Sequence, residues 1–145
     1  MQYLITFIGA LIGTLGFALI FQVSRKQLVW AVLGGGVTVV FYLIFLSFGC
    51  FVSNMMAGFA MMCYCEIVAR IRKAPVTIFL SAALVVLVPG GALYYTIYNM
   101  LSKNTELAVG FGSTTLITCL GIIAGISLAT VLINAIFLVF NKKKK

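Results

Sequence analysis

The chain has 145 residues, 63% of them hydrophobic and only 8% charged, with a formal net charge of +8. Soluble domains carry roughly 25% charged residues, and a fold of this size could not cover its surface with so few polar groups, so the composition specifies an integral membrane protein. The positive charge does not mark a nucleic-acid binder: Arg25, Lys26, Arg70, Arg72, Lys73, Lys103 and the tail Lys142, Lys143, Lys144 and Lys145 punctuate apolar runs and form no patch with interleaved aromatics.

A crossing helix needs about 20 apolar residues. Five runs reach about that length, at 3–23, 28–48, 51–69, 76–100 and 107–140. Each is apolar nearly all round and too long for a strand, so helices are the spanning form. The expected fold is all-α: a polytopic membrane protein of five transmembrane helices in a single transmembrane domain, 1–145.

The first run lacks a basic leading segment and exceeds the roughly 7–15 apolar residues of a signal peptide, which predicts a retained span. Its "GALIG" puts Gly9 and Gly13 one turn apart, a small-residue face on which another helix is expected to pack. The second run carries Gly34, Gly35 and Gly36, which predict either a close helix approach or a local unwinding.

The third run ends in "MMCYCEIVAR". Its sulfur cluster, Met55, Met56, Met61, Met62, Cys63 and Cys65, has the softness that suits Cu(I), but Met is also common filler in apolar packing, and packing is the expectation. "CYC" is not a CxxC motif and the chain has no His, so neither a metal site nor a cofactor is predicted. Glu66 is the one carboxylate inside an apolar run. It is either a coupling or substrate group or the partner of Arg70 one turn on, a common stabilising arrangement.

The fourth run contains "LSAALVVLVPGGALYY". Pro89 is the fourteenth of its 25 residues, near the bilayer midplane. Proline donates no hydrogen bond and its ring collides with the carbonyl of Val85, while Gly90 and Gly91 ease irregular dihedrals. The helix is therefore expected to break at Pro89-Gly90-Gly91. Freed carbonyls in hydrocarbon would each cost several kcal/mol, so the break is either a plain kink against protein or the lining of a substrate route. With Tyr94, Tyr95 and Asn99 just beyond it, the candidate substrate-binding set is Pro89, Gly90, Gly91, Tyr94, Tyr95 and Asn99. Some of these tyrosines also fit an interfacial belt.

The fifth run exceeds one crossing, so its first turns, "LAVGFGSTT", lie in the interface or extend out of the bilayer. Thr114, Thr118, Gly121, Gly125 and Ala129 fall within about 80° of one another on a helix, a packing seam. Ser127, Thr130 and Asn134 form a polar stripe on nearly the opposite side. Two such faces on one span predict protein neighbours on both sides, either a homo-oligomer or a second membrane subunit.

Five spans place nine of the ten basic residues on one side, leaving Lys103 opposite beside Glu106. The positive-inside rule then puts the N-terminus outside and the C-terminus in the cytoplasm.

The segments "ARIRKAPVTIFLSAALVVLVPGGALYYTIYNML" and "GFALIFQVSRKQLVWAVLGGG" resemble the threonine/serine exporter family, in particular the small five-span subunit of its split, two-component form. The likeness covers essentially the whole chain and is most specific over 66–99. By position, the family's acidic-then-arginine ending of the third span falls on Glu66 and Arg70, its loop proline on Pro75 and the following phenylalanine on Phe79. Its "LVPG" turn falls on Leu87, Val88, Pro89 and Gly90, and its tyrosines on Tyr94 and Tyr95. Ala82, Ala83 and Val86 depart from the further Pro and Gly residues often found in the family, so the fourth helix is expected to be less broken here.

The resemblance implies export of small polar metabolites, threonine and serine or dicarboxylates such as succinate. It also implies a larger partner subunit and a bacterial cytoplasmic membrane. There is no ATP-binding motif, which leaves a gradient as the energy source, with protons through Glu66 or the partner as one route. The competing expectation is a non-transporting scaffold for the larger subunit. No enzyme is expected, since one embedded glutamate supplies no acid–base pair.

Overall fold

The computed structural model describes residues 2–142; Met1 and, of the basic tail, Lys143, Lys144 and Lys145 lie outside the described residues. Six α-helices follow in order: α1 (Gln2–Ile20), α2 (Arg25–Ile44), α3 (Cys50–Arg72), α4 (Val76–Leu84), α5 (Gly90–Leu101) and α6 (Thr105–Lys142). Short 3₁₀ turns sit at Leu46–Phe48 and Val85–Leu87, and there is no strand among the described residues. Four helices, α1, α2, α3 and α6, are each long and apolar enough to cross a membrane; the fifth candidate is α4 with α5, bent by 52°. The protein is a multi-pass helical membrane protein, as its composition requires.

Three of these helices stop by one device. Gln22, Lys73 and Lys103 each take the left-handed conformation. The next N–H then reaches five residues back, Val23 to Ala18 at 3.0 Å, Ala74 to Ala69 at 3.0 Å and Asn104 to Asn99 at 2.9 Å. These are Schellman-type ends, built here without glycine. Pro75 follows the second one, so α3 cannot continue and a new helix starts at Val76.

In lipid, helices associate through close packing and not through expulsion of water, and the glycines show where that packing is tightest. Gly34, Gly35 and Gly36 point about 100° apart in turn. A Cβ at Gly34 would lie 3.2 Å from the Tyr64 ring of α3 and 3.4 Å from Ala83 of α4. At Gly35 it would overlap the Thr14 hydroxyl of α1, and at Gly36 it would lie 3.2 Å from Leu11. The triplet thus lets three helices close on α2, which stays helical throughout; of the two expectations, close approach is the one realised. The Tyr64 hydroxyl donates to the Trp30 carbonyl at 2.9 Å and ties α3 to α2.

The α3–α6 seam is built from both sides. A Cβ on Gly58 would come within 3.0 Å of the Ile122 carbonyl, and one on Gly121 within 2.7 Å of the Phe51 carbonyl. A Cβ on Gly125 would overlap the Met55 carbonyl. Between α2, α3 and α4 lies the core, with Met61, Cys65, Phe79, Ala82 and Ala83 fully buried. Met61 and Cys65 of the sulfur cluster therefore serve as core packing.

Helix α6 has 38 residues, roughly 57 Å at the α-helical rise and nearly twice the hydrocarbon thickness. Its first turns continue the helix and run along α5, with Tyr95 stacked on Phe111 at 5.2 Å. On its far side Ser127 and Asn134 are exposed.

Arg25, Lys26, Arg70, Arg72 and Lys73 gather at one end, with Lys103 at the other. Arg72 donates to the Lys26 carbonyl at 3.1 Å, joining the α1–α2 and α3–α4 connections. Arg70 lies over the Phe137 ring, 3.4 Å from its centroid, which brings the C-terminal part of α6 to the same end.

Candidate functional site

The fourth span fails where its sequence says it should. After the 3₁₀ turn Val85–Leu87, Val88 is extended at φ −60°, ψ 123°. Pro89 adopts φ −78°, ψ 56°, and the Gly90 N–H donates to the Val88 carbonyl at 2.8 Å. That is an inverse γ-turn centred on proline. The Val88 N–H meets the Val85 carbonyl at 3.3 Å, and the Leu93 N–H meets the Pro89 carbonyl at 3.0 Å. In an unbroken helix the Val86 carbonyl would accept from Gly90, whose N–H has turned to Val88 instead. Helix α4 is regular up to Leu84, so the break is confined to a few residues.

The freed backbone does not face closed packing. Residues 85–89 wall a partly open cavity of about 500 Å³, a size usual for small-molecule sites, roughly 300–1,000 Å³. Opposite them stand Thr6, Gly9 and Gly13 of α1, Val39 and Tyr42 of α2, Cys50 and Asn54 of α3, and Thr114 and Thr118 of α6. By chain position all of these lie in the half of the molecule away from the basic end. The Thr118 hydroxyl donates to the Thr114 carbonyl at 2.9 Å and lies 3.2 Å from Cys50 Sγ, which fixes α6 to α3 along the wall. Asn54 Nδ2 donates to the Cys50 carbonyl at 2.7 Å.

A second hollow of about 600 Å³ opens toward the basic end, lined by Gln22, Ser24, Gln27, Thr77 and Ser81 among others. Along α1, α2 and α4 the residues between the two hollows are closely packed: Thr14, Ala18, Ala31, Ala82 and Ala83 are all fully buried.

Of the residues singled out from sequence, the cavity gathers Gly9, Gly13, Thr114, Thr118, Pro89 and the stretch 85–88 before it, and leaves the other proposed site residues outside its wall. Gly90 and Gly91 begin α5, with nothing within 4 Å of where a Cβ would stand. Tyr94 and Tyr95 are exposed; Tyr94 stacks on Tyr98 at 6.2 Å and Tyr95 on Phe111. Asn99 is buried, but its Nδ2 donates to the Tyr95 carbonyl at 2.7 Å, within α5 itself. Glu66 and Arg70 form an ion pair at 3.1 Å at the basic end. Gly121 and Gly125 pack on α3, whereas Gly9 and Gly13 meet no helix of this chain within 4 Å of a Cβ.

Sequence reasoning passed over Tyr42, Cys50 and Asn54. The available signal was "SN" inside the third apolar run, since an uncharged polar pair at membrane depth calls for a partner or a cavity.

A cavity that carries a few polar side chains on a mainly apolar wall, set against an interrupted membrane helix, is an arrangement through which membrane transporters meet their cargo. The comparison with known families agrees: the family described as "Threonine/Serine exporter, ThrE" matches residues 6–132, and the chain belongs to it. That family is one of exporters and not of enzymes. No curated protein and no solved structure matches the chain.

Proposed function

We propose that this protein is the small subunit of a secondary-active exporter in a bacterial cytoplasmic membrane, working with a larger membrane subunit. Its cargo is a small polar metabolite, a threonine/serine-type amino acid or a dicarboxylate such as succinate. The observation that carries this reading is the position of the break: residues 85–89 give up helical hydrogen bonds at the wall of a partly open cavity of about 500 Å³ that also holds Thr6, Tyr42, Asn54, Thr114 and Thr118. Backbone interrupted at membrane depth is tolerated where it lines such a space, and it offers cargo hydrogen-bonding groups that need no reorganisation.

The positive-inside rule puts the basic end in the cytoplasm. The cavity then faces out and the second hollow faces in. The buried layer of Thr14, Ala18, Ala31, Ala82 and Ala83 closes the path between them. Alternating access follows from parting α1 and α4 across that layer while the cavity mouth closes. Small side chains with no interlocking long rotamers suit a contact that must open and close.

The deciding experiment is efflux from proteoliposomes containing this chain, the larger subunit, or both, loaded with threonine, serine or succinate. Efflux only from vesicles holding both proteins is the expected result. If the larger subunit alone transports, and Pro89→Ala changes assembly but not efflux, the chain is a scaffold.

A further inference from the structure

Helix α6 has one side that its own chain does not cover. It runs beside α3 in the same direction: Thr118 meets Cys50, Gly125 meets the Met55 carbonyl, and Phe137 lies under Arg70. On the opposite side Leu120, Ala124, Ser127, Val131 and Asn134 follow at alternating steps of four and three, the heptad spacing of a left-handed helix pair. Leu120 is 59% and Val131 66% exposed, and Ser127 and Asn134 are exposed with them.

The two polar members of this face are not served by their own helix. Ser113, Thr114, Thr115, Thr118 and Thr130 of α6 each donate to a carbonyl three or four residues back. Ser127 does not, and Asn134 makes no hydrogen bond among the described residues. Ser127 stands ten residues before Phe137, about 15 Å along the helix, which is near the middle of a hydrocarbon layer of about 30 Å. Asn134 is closer to the basic end, but helical side chains tilt toward the N-terminus of their helix. Its amide therefore leans back toward the bilayer centre and away from the headgroups. Acyl chains offer neither donor nor acceptor, and an amide left unpaired among them is costly.

Symmetry indicates what meets these groups. Copies of one membrane protein share an orientation, because the same basic residues set it. A twofold axis relating them runs along the membrane normal, so α6 lies parallel to α6 and each residue stands opposite itself. A hydroxyl and a carboxamide each carry both donor and acceptor, so Ser127 and Asn134 are self-complementary. Ala124 lets the two backbones approach, and no charged residue between Glu106 and Lys142 repels its own copy. From this we infer that the protein forms a parallel homodimer through this face of α6, joined by Asn134–Asn134 and Ser127–Ser127 hydrogen bonds. The face lies opposite the α3 seam, and none of its five residues lines the cavity. The pairing thus does not depend on what the cavity carries.

The test is disulfide formation in cell membranes that hold the full chain together with the larger subunit. Bridges are mapped by peptide mass spectrometry, which separates them from any formed by Cys50, Cys63, Cys65 or Cys119. Asn134→Cys and Ser127→Cys should each give a dimer of this chain bridged at the substituted position. Leu132→Cys is the control: Leu132 is 49% exposed but points about 140° away from Ser127, and it should give none. Bridging to the larger subunit, no bridging at 127 and 134, or equal bridging at 132 would each overturn the homodimer.

Energy transfer between labelled full-length copies, followed as lipid dilutes them in vesicles, gives the dissociation constant of the dimer. Asn134→Leu should raise it about three- to tenfold, the scale of one hydrogen bond between membrane helices. Asn134→Gln keeps donor and acceptor and should raise it less. Position 134 makes no polar contact within the chain, so both variants should fold as the parent does. An equal or lower constant in Asn134→Leu would overturn the role given to the amide.

Discussion

Gly121 and Gly125 on α6 press against the backbone of α3, whereas Gly9 and Gly13 on α1 face the cavity with nothing within 4 Å of a Cβ position. Both pairs have the same four-residue spacing, on helices of similar apolar character. In the first pair the missing side chains are occupied by the carbonyls of Phe51 and Met55. In the second the missing side chains are part of the cavity's volume. The spacing of small residues states that a helix has a smooth face, but what lies against that face depends on where its neighbours run. Here α6 meets α3 along most of their shared length, while α1 leans on α2 through Thr14 and Gly35 and leaves its other glycine face unfilled.

The largest effect should come from the packed pair. Gly125→Leu places a branched side chain where the Met55 carbonyl and the Phe59 N–H already stand. Backbone atoms cannot rotate aside, so the α3–α6 seam must part. Overpacking typically costs about 1–3 kcal/mol, and this site belongs at or beyond the upper end. A melting curve in detergent should show a large fall in transition temperature or no folded protein. A variant as stable as the parent would show that the seam is not the packed one.

The open pair should answer in the opposite way. Gly13→Ala meets no atom and gives α1 a better helix former, so stability should hold or rise by up to about 0.5–1 kcal/mol. Gly13→Phe should still fold, because its ring has the cavity to enter, but efflux should fall at least severalfold as the space for cargo shrinks. Equal losses of stability for Gly13→Ala and Gly125→Ala would erase the distinction between the two faces.

The same contrast explains how far the sequence could be read. The spans, the gathering of the basic residues of the first and third connections at one end and the break at Pro89 were all legible, because each follows from a local rule. Helix length follows from bilayer thickness, charge placement from insertion, and chain breaking from a missing N–H. The cavity wall was legible only in part. Pro89 and Thr118 announce themselves as a helix breaker and a polar group in an apolar run. Asn54 matters because α3 passes opposite α4, a tertiary fact that no spacing on α3 encodes. Tyr94 and Tyr95 looked like site residues because they follow the break in sequence. Yet α5 leaves at 52°, and they stack on Tyr98 and on Phe111 of α6.

A smaller effect is expected at the basic end, where Arg72 and Arg70 tie the helices together and neither Glu66 nor Arg70 lines either hollow. Glu66 and Arg70 are paired at 3.1 Å, with the arginine side chain 44% exposed and its guanidinium over Phe137. Exposed pairs one turn apart contribute about 0.3–0.5 kcal/mol. Glu66→Gln should therefore cost no more than about 0.5 kcal/mol in a melting experiment and leave efflux intact. Unchanged stability with abolished efflux would instead make Glu66 a coupling group and move part of the transport chemistry to the basic end.

The smallest effect belongs to a control that touches neither face. Lys103 ends α5 at φ 57°, a conformation that disfavours a residue with a Cβ by roughly 1 kcal/mol. Glycine there removes the penalty but adds freedom to the unfolded chain, so the two terms partly cancel. Lys103→Gly should raise stability by no more than about 0.5 kcal/mol and leave efflux unchanged. Because Asn104 still donates to the Asn99 carbonyl at 2.9 Å in this turn, the helix end keeps its hydrogen bond whichever residue stands at 103. A large change in efflux from this substitution would mean that the α5–α6 turn moves during transport, and the contrast between the packed α3–α6 face and the open α1 face would then have to extend to that turn.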